Sequence, residues 1–155
     1  VEILNTDAEG RLALCDALTY VGKFNPEIVI DMATLTGAII VALGSEYTGV
    51  FGNHSPLTND LLSAGKISGD LGWHMPMADA YLEATKSKIA DLANLGSGGA
   101  SSSTAAAFLG EFSKKYRWAH LDVAGSAMGG LSGAKASGRP VPMVVQYILN
   151  CCAEN

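Results

Sequence analysis

Asn5-Thr6-Asp7-Ala8-Glu9-Gly10-Arg11, directly after Val1-Glu2-Ile3-Leu4, is the stretch around which the rest of the chain is arranged. It sets two carboxylates and a guanidinium at alternate positions. Val1 to Leu4 reads as a short apolar strand, and in an extended backbone residues two apart share a face. Asp7, Glu9 and Arg11 then converge on one point if the strand runs that far. Two hard oxygen ligands beside a fixed cation suit a divalent metal site that handles a polar, charge-developing substrate. Gly10 lets backbone or ligand approach closely. A plainer reading competes. Thr6-Asp7-Ala8-Glu9 also matches the S/T-x-x-E capping box, followed by a helix beginning near Arg11. Spacing alone leaves both open.

Outward from this stretch, strands and helices alternate, which predicts an α/β fold. Leu12, Leu14, Ala17, Leu18 and Val21 recur with a helical period, and Asn25-Pro26 marks a turn. Ile28-Val29-Ile30 reads as a buried parallel strand covered on both faces. Ala38 to Leu43 is a short buried helix ended by Gly44, and Tyr47 to Phe51 a further strand. Pro56 to Ser68 is a helix with Leu61, Leu62 and Ile67 inward. Trp73 to Pro76 is read as irregular, and Ala78 to Thr85 as helical. The Gly/Ser loop from Leu95 feeds a helix over Ser103 to Tyr116, and Trp118 to Val123 is a strand. Gly125 to Gly138 is read as a mobile loop. Pro140 to Cys152 closes the chain as a helix, with Val144, Val145, Ile148 and Leu149 on its apolar side.

At 155 residues the chain suits one domain with a real core. A formal net charge of −5, with no basic cluster beyond Lys114-Lys115-Tyr116-Arg117, argues against a nucleic-acid surface on this segment. No apolar run approaches the roughly 18 residues of a membrane span. The three cysteines are odd in number, and adjacent Cys151 and Cys152 would bridge only under strain, so a reducing compartment fits best. His54, His74 and His120 form no H-x-x-x-H pair and no C-x-x-C exists, which disfavours a His/Cys zinc site. Gly96-Ser97-Gly98-Gly99-Ala100 matches neither G-x-G-x-x-G nor a P-loop. No G-x-S-x-G elbow is present. His120 reads as a core residue and Asp122 as a structural carboxylate at a strand end. Asp31 lies at the end of a strand, where it either serves a site or caps the next turn.

The string Asn5 to Leu12 resembles the signature of the leucyl aminopeptidase family, the two-metal cytosolic exopeptidases. Further blocks resemble the same family in the same order: Asp31 to Gly37, Ser87 to Leu92, Ser103 to Leu109, Trp118 to Gly125 and Gly138-Arg139-Pro140-Val141-Pro142. The likeness runs through essentially the whole chain. It implies a mixed, largely parallel β-sheet sandwiched between helices, and a metal-dependent aminopeptidase that favours leucine-like N-terminal residues. It also implies a cytoplasmic homohexamer acting on peptides with a free N-terminus. Asp7 resembles a ligand of the first metal and Glu9 the carboxylate that bridges both. Arg11 resembles the arginine that orients a bicarbonate ion. Thr34, Leu35 and Gly37 resemble the segment that hydrogen-bonds substrate through its main chain, and Ala124 and Ala127 align with the neighbourhood of the side-chain pocket. Two divalent ions are implied; carboxylate ligands accept zinc, manganese or magnesium alike.

Family members draw a lysine and two aspartates as further ligands, and a catalytic lysine, from sequence upstream of this signature. Residues 1–155 do not include those positions. The expectation is therefore that residues 1–155 form the C-terminal part of the catalytic domain. They complete the site with an upstream segment of the same protein, and alone bind metal poorly and turn over little. The alternative class is a non-catalytic module, either a DNA-binding regulator, which this acidic segment suits badly, or a catalytically dead paralogue.

Overall fold

The computed structural model describes residues 1–128 and 135–153. A four-stranded sheet organises them, in the order β1-β4-β2-β3. Its strands are β1 (Ile28–Ala33), β2 (Thr48–Gly52), β3 (Gly72–His74) and β4 (Arg117–Asp122). β1 runs parallel to β4 and β2 parallel to β3, while β2 and β4 are antiparallel. The sheet is thus mixed and mostly parallel, as expected.

Period-2 alternation along β4 shows how the sheet is covered. Ala119 and Leu121 face a core built with Val50, Leu57, Leu61, Met143 and Tyr147, on the side of α3 (Ser55–Ser68) and α6 (Val141–Ala153). Trp118 faces the opposite core, where Cys15 and Leu18 of α1 (Gly10–Val21) meet Phe108 and Leu109 of α5 (Ser101–Gly110). Each fully buried Leu, Phe or Met in these layers contributes about 1.5–3 kcal/mol relative to exposure. Among the described residues no helix is long and apolar enough to cross a membrane.

Several local expectations fail for identifiable reasons. Val1 to Leu4 is no strand: Glu2 makes a single parallel bridge with Ala93, and nothing extends it. β1 is half-buried rather than covered, because it lies at an edge of the sheet. β3 occupies part of the segment read as irregular; it forms because Gly72, Trp73 and His74 find partners in Thr48, Gly49 and Val50. α5 stops at Gly110, and turns carry the chain on to Tyr116. In α2 (Gly37–Leu43) only Ile39 is buried, and Val41 is among the most exposed apolar residues. Ile67 of α3 is likewise exposed. In α6 the buried residues are Met143 and Tyr147, whereas Val145, Ile148 and Leu149 face outward. Of the Gly125–Gly138 loop, residues 129–134 lie outside the described residues; its ends meet at the bridge between Met128 and Ala136.

Asp70 and Arg139 fix the rotation of α6. The Asp70 carboxylate is 2% exposed; Oδ1 accepts from Arg139 Nε at 2.5 Å and Oδ2 from the Met143 amide at 3.2 Å. Arg139 also donates to the carbonyls of Ser45, Glu46 and Leu71. With Met143 tied to a buried carboxylate, the helix turns Met143 and Tyr147 inward.

Candidate active site

The stretch that opened the sequence is not an extended strand; a helix does begin near Arg11 as the second reading expected, but without the Thr6–Glu9 capping box. Thr6–Ala8 form one turn of 3₁₀ helix, and α1 begins at Gly10. The cap is Asn5, not Thr6: its side-chain Oδ1 accepts from the Asp7 amide at 2.8 Å. Glu9 precedes α1 in helical conformation without a side-chain capping bond. Asp7, Glu9 and Arg11 therefore meet around the entry to a helix rather than along one face of a strand. The positive end of the α1 dipole offsets part of the repulsion between the two carboxylates.

A cleft of about 410 Å³ joins this helix entry to the end of β1. Its walls include Asp7, Glu9 and Arg11 on one side and Thr34, Leu35 and Gly37 on the other. Both carboxylates are exposed to it. Ala124 and Ala127 do not line it: Ala124 packs with Ile39, Phe51 and Ala106, and Ala127 against the α3–α6 core.

Arg11 is only 6% exposed. Its Nη1 donates to the Asn94 carbonyl at 2.7 Å, while Nε is buried with no partner. Burial pulls its pKa below the ordinary arginine value, and nearby Asp122 opposes that pull. An arginine so placed still carries its proton. A buried cation with an unused donor is costly unless something anionic completes it.

The far wall is held by Asp122, itself 1% exposed. Oδ1 accepts from the amides of Leu35 at 3.1 Å, Thr36 at 3.5 Å and Ala124 at 3.2 Å. Oδ2 accepts from the Thr36 hydroxyl at 2.7 Å, and Thr36 in turn caps α2 and meets Ser102 Oγ at 2.7 Å. Gly125 lets this corner close, because a Cβ there would stand 2.1 Å from the Gly44 carbonyl oxygen. Asp122 thus has the structural task expected of it. Asp31 neither caps a turn nor lines the cleft. It accepts from Trp118 Nε1 and meets His120 Nδ1, both at 2.6 Å, and so braces β1 to β4. His120 is wholly buried in that brace.

Asn94 escaped the reading of the sequence. Fully buried, it hydrogen-bonds the backbone of Leu4, Asn5 and Ala8 through its side chain and Arg11 through its carbonyl. The available signal is a lone Asn among Leu92, Ala93 and Leu95, immediately past the Ser87–Leu92 block. Asp7 and Glu9 supply hard oxygen donors that fit a divalent cation. Among the described residues, however, no three His, Cys, Asp or Glu side chains group closely enough to hold a metal ion. The donors present fit part of a coordination set.

Comparison with known proteins bears on the same residues. A family model described as the cytosol aminopeptidase family, catalytic domain, matches residues 1–145. Proteins named probable cytosol aminopeptidase from Thioalkalivibrio sulfidiphilus and Photobacterium profundum are 59% and 57% identical to it over 150 residues. A solved structure of a mutant tomato leucine aminopeptidase superposes with a TM-score of 0.91 at 43% identity, covering 97% of this chain. The match takes in 30% of each of these relatives, so the chain spans about a third of their length. With the match running from the Asp7–Arg11 helix entry through the Asp122 corner to α6, the chain belongs to the cytosol aminopeptidase family, within its catalytic domain.

Proposed function

We propose that this chain carries part of the active site of a metal-dependent aminopeptidase, which hydrolyses the N-terminal peptide bond of peptides and favours leucine-like residues. One observation supports it above the others. Two exposed carboxylates and a buried arginine with an unsatisfied Nε share a cleft with the main chain of Thr34, Leu35 and Gly37. Asp7 and Glu9 are read as ligands of two divalent ions, zinc or manganese in the first instance and magnesium in the second. When bound, such ions supply a hydroxide near neutral pH and polarise a carbonyl oxygen.

The rest falls to this chain's own groups. Arg11 is read as holding a small anion, bicarbonate by the family likeness, as the proton acceptor beside the nucleophile. The main chain of Thr34, Leu35 and Gly37 is read as orienting the peptide, with Asp122 keeping those amides in place. A site whose ligands include the free α-amine accepts only chain ends, which makes the enzyme an exopeptidase.

The remaining ligands and the catalytic lysine are read as coming from outside these 155 residues, which make up the C-terminal portion of the catalytic domain. Relatives of which this chain covers 30% leave ample sequence for them. By the same likeness the protein is a cytoplasmic homohexamer. Hydrolysis of a leucine anilide by the full-length protein, with added Mn²⁺ or Zn²⁺ and a chelator control, tests the reading. Outer-shell partners of a metal are each worth about 10–100-fold in activity or affinity. Changing the direct ligand in Glu9→Ala is therefore expected to cost at least about 100-fold. Melting should be little changed, because Glu9 is exposed. Activity that resists the chelator, or survives Glu9→Ala, removes the reading.

A further inference from the structure

The side-chain carboxylates of Asp7 and Glu9 make no hydrogen bond or ion pair among the described residues. Their aim depends on the backbone that carries them, and that backbone is irregular from Val1 to Glu9 except for one 3₁₀ turn. What holds it comes from the loop between α4 (Asp79–Glu83) and α5, in the form of Asn94.

A buried primary amide must place two donors and the lone pairs of one acceptor. Asn94 places all of them on this one segment. Oδ1 accepts from the Leu4 amide at 2.8 Å and from the Asn5 amide at 3.3 Å. Nδ2 donates to the Asn5 carbonyl at 2.7 Å and to the Ala8 carbonyl at 3.4 Å. Its own amide donates to Glu2 O at 2.9 Å, and its carbonyl accepts from Arg11 Nη1 at 2.7 Å. One side chain therefore spans both ends of the turn containing Asp7, while the main chain of the same residue takes hold of the guanidinium. A fully satisfied buried network of this kind is rigid, and removing one member leaves the others unpaired.

We propose that Asn94 is the positioning residue of the cleft, setting Asp7 and Glu9 through the Leu4–Ala8 backbone, and Arg11 through its own carbonyl, in the arrangement that binds the metal ions. The inference rests on the metallo-aminopeptidase reading above. It assigns Asn94 no contact with substrate or metal. Its effect on metal binding is that of an outer-shell partner, for which loss costs about 10–100-fold in affinity.

The test uses the full-length protein with two substitutions. Asn94→Asp keeps the Oδ1 acceptor and the volume, but turns the Nδ2 donor into an oxygen facing the carbonyls of Asn5 and Ala8. Asn94→Ala removes the amide without adding charge. Mn²⁺ affinity is read by competition with a fluorescent chelator, loop order by amide hydrogen exchange over residues 2–9, and turnover on a leucine anilide. Expected for both variants are about 10–100-fold weaker Mn²⁺ binding, faster exchange over 2–9, and lower kcat with KM little changed. A folded variant that binds Mn²⁺ like the wild type, with unaltered exchange over 2–9, overturns the proposal. So does failure of both variants to fold, which assigns Asn94 to the fold alone. A wild-type protein that neither binds Mn²⁺ nor hydrolyses the anilide removes the metallo-aminopeptidase reading and this inference with it. Wild-type function beside unaffected variants removes the inference only.

Discussion

Arg139 and Arg11 are both drawn in from solvent, yet their donors fare differently. Arg139 donates Nε to Asp70 and its terminal nitrogens to the carbonyls of Ser45, Glu46 and Leu71. Arg11, more deeply buried, gives one hydrogen bond to Asn94 and leaves Nε without a partner. The carboxylate nearest Arg139 binds it directly. Asp122, which acts on Arg11 through its charge, has its oxygens occupied by Leu35, Thr36 and Ala124. A fold that wanted only stability from Arg11 would give it what Arg139 has. The difference identifies Arg139 as a strut between α6 and the β2–β3 side of the sheet, and leaves Arg11 as a buried cation with a donor unused, which is what the proposed anion-holding role requires.

The widest separation between the two comes from the same substitution at each. Arg139→Met leaves the Asp70 carboxylate buried and unpaired, a loss of about 3–5 kcal/mol. It should appear as a strongly lowered melting temperature of the full-length protein. Arg11→Met removes a half-satisfied buried cation but leaves the buried Asn94 carbonyl without its donor, a cost of about 1–3 kcal/mol and so smaller than at Arg139. Its effect falls on turnover, expected to drop by about 100-fold or more, as for loss of one charge-stabilising group in an active site. Thermal melting and anilide hydrolysis on both variants check the pair. If Arg11→Met melts as early as Arg139→Met, the contrast between strut and held cation is gone.

The contrast also marks where the sequence was readable. Local apolar periodicity was enough for α1, α3, β2 and β4, because those segments bury one face or one run of side chains and the pattern is written in consecutive residues. The face of α6 was readable only at Val144, which packs against the core. Val144, Val145, Ile148 and Leu149 make the more apolar side, but Met143 is tied to Asp70, a residue 73 positions earlier, and that tie sets the rotation. β3 carries no pattern of its own in Gly72-Trp73-His74 and exists through pairing with β2.

The cleft was legible in a similar, partial way. Asp7, Glu9, Arg11, Thr34, Leu35 and Gly37 do line one space. The extended strand invoked to bring the first three together does not exist, however; spacing and ligand chemistry singled out Asp7, Glu9 and Arg11, and family likeness alone brought in Thr34, Leu35 and Gly37. What decides their backbone is Asn94, acting from 86 to 90 residues away through Ala8, Asn5 and Leu4. No spacing rule reaches that far. Ala124 and Ala127 show the opposite limit: likeness brought them in, and their side chains pack into the cores instead.

Asp122→Asn sharpens the comparison from the Arg11 side with a smaller effect. The amide nitrogen that replaces one oxygen no longer accepts from the Thr36 hydroxyl, and the charge that opposes burial at Arg11 disappears. Losing a partner for a buried polar group costs about 1–3 kcal/mol. The expected result is a modest fall in melting temperature and a raised KM for the anilide, as the Leu35 and Thr36 amides loosen. Hydrogen exchange should quicken over residues 34–37 and stay unchanged around Asp70 and Arg139. Equal loosening at both corners would mean that the two are one mechanical unit.

The smallest effect lies on the Arg139 side and is a matter of pH. Tyr147, one turn beyond Met143 on α6, has its phenol pushed up to about 12, chiefly by burial and then by hydrogen bonding with Cys151. An unfolded tyrosine ionises near 10. Between these values the unfolded chain has lost its proton while the folded chain keeps it, so the unfolded state binds fewer protons and stability falls as pH rises. Below pH 10 the group contributes no slope. Melting temperature measured from pH 8.5 to 11 should therefore decline above about 10, and Tyr147→Phe, which keeps the ring in the α3–α6 core, should make that decline shallower. Arg11→Met should leave it untouched, since α1 and α6 sit on opposite faces of the sheet. A decline that Arg11→Met abolishes would place the alkaline weakness at the cleft, and the division of labour between the two arginines would have to be redrawn.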